Sequence, residues 1–414
     1  MKKSLSFLFV TIEGGGNIPV VLGLATRLAQ RGHRVRVLTE PCLQETVESY
    51  GLIFMPFKKC FTKSDRTEDS FRDWKASPLK NPSFDNVVFG PVDLVAEETY
   101  FALQSEQTDI LVADVLLPAA LIPGEALGIK TVSLFHMPEY LPGRGRPPGG
   151  MGLTPGRGFL GSFRDRMLGS IFHRIMNKYL PKINNTRQKY GLAKLRNVAD
   201  IYDKPDLRLI QASIHFDFPA NPLPANVRYA GPVLDDPDWV KDWLNPWPQD
   251  DPRPLAVVSL SSTFQNQQET IQQCINALGQ LNVRGLVTAG PAMSREEFTV
   301  PQNVTVIPNG SHAQIFPFAD IVITHAGHGT VMRALCHGVP LLCLPMGRDQ
   351  DDNAAKVAYR KAGIRLGKNA GAAKIKNAVS AILGDKSFKD TPERLGQLIR
   401  EEAGKNRAVA YLES

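Results

Sequence analysis

The feature that most constrains the fold is an alternation of strand and helix signals that occurs twice along the chain. Short runs of apolar and β-branched residues alternate with longer stretches of helical periodicity. In the first half the strand signals fall at Leu5–Ile12, Val35–Thr39, Leu52–Phe57, Asp109–Asp114 and Lys130–Phe135. In the second half they fall at Leu255–Ser261, Arg284–Gly290, Val304–Pro308, Asp320–His325 and Pro340–Pro345. Such repetition predicts parallel sheets with crossover helices on both faces.

The stretch between the two halves has the composition of a linker. Residues 216–254 contain nine prolines, and proline interrupts both helices and sheets. The fold class that we predict is α/β, with two doubly wound parallel-sheet domains facing each other across a cleft. The N-terminal domain is expected over residues 1–215 and the C-terminal domain over residues 255–395. A C-terminal helix in residues 396–414 is expected to cross back to the N-terminal domain.

Composition and charge exclude several classes of protein. The 414 residues are 43% apolar and 21% charged, which is typical of a globular chain and excludes wholesale disorder. The net charge of +7 is modest for this length and does not indicate nucleic-acid binding. The five cysteines are scattered without Cys-x-x-Cys spacing, and no apolar run approaches the roughly 20 residues that span a bilayer. We therefore expect a cytoplasmic protein.

One basic segment leaves two interpretations open. Between Arg144 and Lys189 there are ten lysines and arginines but one acid, Asp165. Its second part is amphipathic at helical spacing, with apolar residues at Phe163, Met167, Ile171, Ile175 and Tyr179 and adjoining ones at Leu168, Phe172 and Met176. The first interpretation is a helix that packs its apolar face on the N-terminal sheet. The second is an acceptor-site lid or a surface that contacts anionic membranes peripherally.

The sharpest motif combines a strand, a glycine turn and the start of a helix between Asp320 and Thr330. Glycines allow a ligand to approach the backbone, while the free N–H groups of a helix N-terminus favour an anion such as a diphosphate. His325 and the Thr330 hydroxyl can both donate to phosphate oxygens. Further along, Asp349 and Gln350 combine a carboxylate with a carboxamide, a pair suited to neighbouring hydroxyls of a sugar.

With these motifs the chain resembles the nucleotide-sugar-dependent glycosyltransferases of the GT-B fold, family 1. That family includes bacterial enzymes that glycosylate macrolides and other antibiotics and the UDP-glycosyltransferases of plants and animals. The resemblance covers essentially the whole chain and is most specific over Ser311–Lys356. It implies a nucleoside diphosphate sugar as donor substrate, without a cofactor or a metal ion. The donor-binding residues that it implies are Ser261, Ser262, Thr263, Asn309, His312, His325, Gly327, His328, Gly329, Thr330, Asp349 and Gln350.

The chain departs from the family pattern at two places. Where many members have a tryptophan that stacks on uracil, this chain has Asn309 and the three residues after it, so both a UDP- and a dTDP-sugar stay open. The first loop of the family usually carries the histidine that serves as general base, three residues before a proline. Counting back from Pro19, that position is Gly16.

Three other residues in predicted loops of the N-terminal domain can replace the missing base. We favour Asp114, then Glu13, then His136, because a carboxylate suits an acidic phenol or carbon acid and burial can raise its pKa. The function that the resemblance implies is inverting, metal-independent O-transfer of a hexose to a lipophilic hydroxylated natural product. Acceptor contacts are expected at Gly16, Phe84, Phe89, Leu117, Phe135 and Met137.

Other functions stay open at this point. They are C-glycosylation of an aromatic polyketide, glycosylation of a membrane lipid, epimerisation of a nucleotide sugar, and a degenerate donor-binding protein that partners an active transferase. We expect a monomer or a homodimer that binds no nucleic acid.

Overall fold

The computed structural model describes residues 4–65, 83–235, 240, 242–248, 250–260, 267–290, 293–405 and 407–414. The chain divides into two compact units. The first unit contains residues 1–148, 155–233 and 405–414, and the second contains residues 149–154 and 234–404.

In the first unit, seven strands of the described residues form a parallel sheet, which we call the first sheet. The strands are β1 (Ser6–Val10), β2 (Arg34–Thr39), β3 (Ile53–Pro56), β4 (Ile110–Asp114), β5 (Lys130–Phe135), β6 (Leu207–Ile210) and β7 (Val227–Tyr229). Their spatial order is β3-β2-β1-β4-β5-β6-β7, and every pairing is parallel. The chain therefore builds outwards from β1 in one direction and then returns to build in the other.

The helices of the first unit cover both faces of this sheet. They are α1 (Ile18–Gln30), α2 (Gln44–Ser49), α3 (Val92–Ser105), α4 (Leu121–Ala126), α5 (Gly158–Met176), α6 (Leu180–Lys189), α7 (Asp200–Asp203) and, after the second unit, α14 (Arg407–Glu413). The central strand shows why two layers form. Phe7 and Phe9 point into one buried cluster while Leu8 and Val10 point into the other, as alternating side chains of a strand must.

In the second unit, six strands of the described residues form the second sheet. The strands are β8 (Leu255–Ser259), β9 (Arg284–Thr288), β10 (Val304–Ile307), β11 (Ile321–Thr324), β12 (Leu341–Cys343) and β13 (Gly363–Arg365), in the order β10-β9-β8-β11-β12-β13. All pairings are again parallel. The helices are α8 (Gln268–Leu278), α9 (His312–Ile315), α10 (His328–Cys336), α11 (Gln350–Tyr359), α12 (Ala372–Gly384) and α13 (Ser387–Gly404).

Short helical turns complete the described secondary structure. Five are 3₁₀ turns at Pro41–Leu43, Pro118–Ala120, Asn177–Tyr179, Arg295–Glu297 and Phe316–Phe318, and one π turn spans Phe84–Val88.

The order of the strands creates one switch point in each sheet. The first sheet reverses direction between β1 and β4, and the second between β8 and β11. Loops that leave the carboxyl ends of two such strands diverge to opposite faces, and the crevice between them is where open α/β sheets bind ligands. Residues that we predicted as candidate bases or donor contacts lie at the carboxyl ends of three of these four strands. They are Glu13 after β1, Asp114 at the end of β4, and His325 after β11.

The unit boundaries differ from the predicted domain boundaries. Residues 216–233, predicted as linker, belong to the first unit, and β7 pairs there with β6 as an edge strand. Prolines are tolerated beside an edge strand because one side of its backbone needs no ladder partner. The predicted boundary at residue 395 falls inside α13, which is continuous from Ser387 to Gly404.

Helix α5 orients its apolar residues differently from the first of the two interpretations. Phe163, Met167 and Ile171 are exposed, whereas Asp165 and Gly169 on the opposite side are buried. The packing of an apolar face on the first sheet is therefore wrong for these three residues. No helix in the described ranges combines the length and the hydropathy that a membrane-spanning segment needs.

Candidate functional site

Asp114 and His136 meet at the switch point of the first sheet. His136 Nδ1 lies 3.1 Å from Asp114 Oδ1, although 22 residues separate the two along the chain. The register of the sheet explains the contact: Asp114 pairs with Leu134 of the neighbouring strand, and His136 is two residues further on. Residues two apart on a strand point to the same face. The contact therefore depends on the register of the β4–β5 pair, which no local motif of the sequence determines.

The Asp114 carboxylate is fixed by three further donors. Its Oδ1 also accepts the Leu116 N–H at 3.0 Å, while its Oδ2 accepts from Thr11 Oγ1 at 2.8 Å and from Asn17 Nδ2 at 2.9 Å. The side chain is fully buried. Thr11 and Asn17 were not predicted as site residues, and their role is to orient Asp114.

The pKa of Asp114 is lowered, whereas we expected that burial could raise it. Burial by itself raises the pKa of a carboxyl group, but here the charge and hydrogen bond of His136, with the bonds from Leu116 and Asn17, outweigh it. The pKa of Asp114 is therefore held below its ordinary value, and the group is a carboxylate at neutral pH. A carboxylate accepts hydrogen bonds only, so His136 Nδ1 is the donor in this contact. The His136 side chain is 12% exposed.

Glu13 and Gly16 lie on the loop that follows β1. Glu13 Oε1 accepts the N–H of Gly15 at 2.8 Å, and the Glu13 N–H donates to Glu40 Oε2 at 2.6 Å. The carboxylate of Glu13 is thus used within its own turn. Gly16 is exposed, and a Cβ added there would have no atom within 4 Å. The position that holds a histidine in the resembling family therefore faces open space.

The apolar residues predicted to contact the acceptor divide into two groups. Phe89, Leu117 and Phe135 are buried in the core of the first unit. Phe84 and Met137 pack against the same core but stay partly exposed. The core position of the first three removes them as direct contacts, because no surface of theirs is open.

The glycine turn after β11 places His325 at the start of α10. Ala326 adopts a left-handed backbone conformation with φ of 68°, and Gly327 is the residue before the helix. A Cβ at Gly327 would lie 2.6 Å from His325 Nε2, so glycine leaves room for the imidazole in its position against the turn. The imidazole therefore lies at the N-terminus of α10, and the positive end of a helix dipole favours an anion.

His325 is a neutral imidazole. Burial lowers the pKa of His325 to about 3, helped by the charge of Arg348 and opposed by a hydrogen bond with the Ser259 backbone. It can donate one neutral hydrogen bond to a phosphate, and the nearby positive charge belongs to Arg348. Arg348, which follows β12, was not predicted as a site residue. Its position directly before Asp349 is the signal that could have found it.

Asp349 and Gln350 follow Arg348, and Asn353 lies one turn further along α11. Gln350 Oε1 accepts from Met346 N at 2.8 Å and from Gly347 N at 3.2 Å, and its side chain is buried. Asn353 Nδ2 bridges Asp349 Oδ2 at 2.7 Å and the Ala326 carbonyl at 3.0 Å. Gln350 therefore shapes the loop with its carbonyl oxygen, and Asn353 joins that loop to the His325 turn.

The remaining predicted donor residues lie around this turn. His312 Nε2 is 2.9 Å from Ser259 Oγ, and its ring stacks on Phe316 with centroids 4.3 Å apart. Asn309 is half-buried in the turn after β10, His328 is the buried first residue of α10, and Gly329 and Thr330 follow it half-buried. Ser261, Ser262 and Thr263 lie outside the described residues. Within the described ranges, no group of three or more His, Cys, Asp and Glu side chains is placed to hold a metal ion.

Solved structures share this architecture over the whole chain. The glycotransferase of kitacinnamycin superposes with a TM-score of 0.78 at 19% identity, covering 100% of this chain and 99% of its own. The glycosyltransferase VinC in complex with dTDP gives a TM-score of 0.67 at 16% identity, covering 98% of this chain and 100% of its own. The fold is therefore the predicted GT-B fold.

Sequence comparison identifies the family. A curated relative, 4'-demethylrebeccamycin synthase of Lentzea aerocolonigenes, is 27% identical over 400 residues, covering 94% of both chains. The profile of the family described as UDP-glucoronosyl and UDP-glucosyl transferase matches residues 17–413. Taken with the glycine turn and its histidine, these matches show that the chain is a nucleotide-sugar-dependent hexosyltransferase and belongs to the UDP-glucoronosyl and UDP-glucosyl transferase family.

Proposed function

We propose that this enzyme is an inverting, metal-independent O-glycosyltransferase. It transfers a hexose from a UDP- or dTDP-sugar to a hydroxyl group of a lipophilic natural product. The observation that carries the proposal is the 3.1 Å contact between His136 and Asp114, which supplies the general base that Gly16 cannot.

The proton chemistry assigns His136 as the base and Asp114 as its positioning residue. Asp114 is buried, ionised and engaged at both oxygens, so it is a weak and inaccessible base. His136 presents Nε2, and the proton that Nε2 takes from the acceptor hydroxyl leaves a positive imidazolium beside the carboxylate. This changes the order of candidates for the general base that we favoured from the sequence. His136 now comes first, ahead of Asp114 and Glu13.

The acceptor oxygen, once deprotonated, attacks the anomeric carbon on the side opposite the diphosphate. The C–O bond to the diphosphate breaks as the new bond forms, which inverts the configuration at that carbon. Arg348 and the N–H groups at the start of α10 neutralise the departing diphosphate, and neutral His325 adds one hydrogen bond. In this proposal the charge that a metal ion would supply comes from Arg348.

The acceptor class rests on the relatives and on the exposed apolar residues. The rebeccamycin synthase and the kitacinnamycin enzyme are named for natural products, and VinC was solved with dTDP. In this chain Phe84 and Met137 offer partly exposed apolar surface on the first unit. Both features support a lipophilic acceptor, and the VinC complex supports a dTDP-linked donor beside a UDP-linked one.

A transfer assay with a panel of UDP- and dTDP-hexoses and hydroxylated aromatic and macrolide acceptors tests the proposal. Mass spectrometry of the product identifies sugar and acceptor, and NMR of the anomeric proton gives linkage and configuration. We expect an O-linked β-product from an α-linked donor, formed equally well with EDTA present. A retained configuration, a C–C linkage, inactivation by EDTA, or donor hydrolysis without transfer would each contradict it.

A further inference from the structure

Helix α5 exposes a continuous apolar stripe, which we call the α5 stripe. It consists of Phe159, Leu160, Phe163, Met167 and Ile171, whose exposed fractions range from 42% for Ile171 to 84% for Phe159. Residues three and four apart lie above one another on a helix, so these side chains form one row along α5. Single exposed apolar residues are common on proteins, but a row of five is typical of an interaction surface.

The opposite side of α5 is firmly attached to the first unit. Asp165 is buried and accepts the Gly156 N–H at 2.7 Å, and Met176 is part of the buried core. A Cβ on Gly169 would lie 3.2 Å from Pro142, which marks a close approach of the helix to the chain below. The orientation of α5 is thus fixed by its inner side, and the α5 stripe faces outwards.

The exposed charged residues that α5 itself places beside the stripe are positive. Arg174 continues the row three residues after Ile171, and Arg166 adjoins Met167; both arginines are exposed. Neither forms an ion pair with the described residues, while Asp165, the one acid between Arg144 and Lys189, is turned inwards. Apolar side chains bordered by unpaired arginines match the surface of an anionic lipid bilayer, where acyl chains lie beneath phosphate groups.

A second copy of the chain fits this surface less well. Symmetric pairing through one face brings the same patch of both copies together. Arg166 and Arg174 of the two copies would then approach each other without an acid on the stripe to neutralise them. The charge pattern therefore favours an anionic partner over self-association.

We propose that the α5 stripe is a membrane-binding face that lays α5 in the interface of an anionic bilayer. The apolar residues enter the boundary between headgroups and acyl chains, and Arg166 and Arg174 pair with lipid phosphates and carboxylates. The enzyme would then act at the membrane surface as a peripheral protein, where lipophilic acceptors accumulate. This inference does not depend on which residue is the catalytic base.

Co-sedimentation of the full chain with vesicles tests the proposal. We expect binding to vesicles of phosphatidylcholine with phosphatidylserine, weak binding to phosphatidylcholine alone, and at least tenfold weaker binding at about 1 M salt than at about 0.1 M. The pairs Phe159→Ser with Phe163→Ser and Arg166→Gln with Arg174→Gln should each lower binding at least tenfold. Leu244→Ser is the matched control, since Leu244 is 88% exposed in the second unit and should have no effect.

Other results of these experiments would contradict membrane binding by the α5 stripe. Absence of binding to phosphatidylserine vesicles at low salt, or binding that both double variants retain, would overturn the proposal. A concentration-dependent dimer in analytical ultracentrifugation that Phe159→Ser with Phe163→Ser abolishes would show that a second copy covers the stripe. Circular dichroism of each variant confirms that a loss of binding is not a loss of folding.

Discussion

Both sheets place a histidine at the switch point, but only the second sheet does so with the residue that the family pattern leads us to expect. Each sheet has one switch point, and each switch point has a histidine beside it: His136 in the first sheet and His325 in the second. At the second sheet the glycine turn with His325 resembles the family motif, although Asn309 and the three residues after it stand where many members have a tryptophan. At the first sheet the expected histidine is Gly16, and His136 comes from a different strand. The order of the strands thus determines where the histidine lies, at the switch point of the sheet. The loops after more than one strand can supply that histidine.

The environments of the two histidines are opposite. His136 is partly exposed and is paired with an ionised carboxylate, which stabilises the imidazolium that forms when it takes a proton. His325 is buried beside Arg348, and its pKa of about 3 keeps it neutral. In the mechanism that we propose, His136 accepts a proton, and His325 donates a hydrogen bond without changing charge.

Removal of the proposed base should have the largest effect. His136→Ala should lower kcat by about 10²–10⁴ because the acceptor hydroxyl loses its proton acceptor in the transition state. Donor affinity, measured by calorimetry with the free nucleoside diphosphate, should stay within twofold. His173→Gln on α5 is a matched histidine control and should leave both quantities unchanged.

The positioning residue should give a smaller loss with a distinctive pH signature. Asp114→Asn should lower kcat about 10–10²-fold at an unchanged donor KM, because His136 loses its orientation and the stabilisation of its charge. The lowered pKa of Asp114 contributes to stability above the ordinary carboxyl pKa, and this contribution is lost as pH falls through the folded value. The difference in unfolding free energy between wild type and variant should therefore be about 1–3 kcal/mol at pH 7 and shrink below pH 4. A pH-independent difference with unchanged kcat would show a purely structural role.

Most of the fold was predictable because buried parallel strands carry a strong local signal. The strand at Lys130–Phe135 matches its predicted bounds, and the strand predicted at Val35–Thr39 begins one residue earlier, at Arg34. The orientation of α5 was not predictable, because periodicity identifies an apolar face without saying which side packs. The inner side of α5 combines Met176 in the core with buried Asp165 and with Gly169, which lies close to Pro142.

The candidate site was predictable where one local motif contains it. The His325 turn is a single stretch of chain, so its residues could be read in order. The pairing of Asp114 with His136 depends on the register between two strands, and the lowered pKa of His325 depends on its burial and then on the charge of Arg348 from another loop. Long-range contacts of this kind leave no periodic trace in a sequence.

At the second sheet, loss of the positive charge should matter more than loss of the histidine. Arg348→Ala should lower kcat/KM for the donor about 10–10²-fold, because a charged contact to the diphosphate contributes roughly 1.5–3 kcal/mol. Arg348→Lys keeps the charge and should recover much of the loss. Equal losses in both variants would mean that the guanidinium shapes the loop and that its charge is unimportant.

The smallest effect is expected at His325. Its neutral hydrogen bond contributes about 1 kcal/mol, so His325→Ala should weaken donor binding about fivefold. Since the pKa of His325 is about 3, donor affinity should show no histidine titration between about pH 5.5 and pH 8. A titration in this range that His325→Ala removes would mean that the imidazole becomes charged when the donor binds.

We infer that Asp114 can orient a histidine that follows β5, as in this chain, or one that follows β1, at the position of Gly16. One rescue experiment tests this inference. A Cβ added at Gly16 has no atom within 4 Å, and Gly16 occupies the family's histidine position, so Gly16→His is the substitution to test. Single-turnover rates of wild type, His136→Ala and the double variant Gly16→His with His136→Ala provide the measurement. We expect the single-turnover rate of the double variant to be at least tenfold above that of His136→Ala. We expect no such increase when Asp114→Asn is added. A His136→Ala variant that keeps the wild-type rate would contradict it.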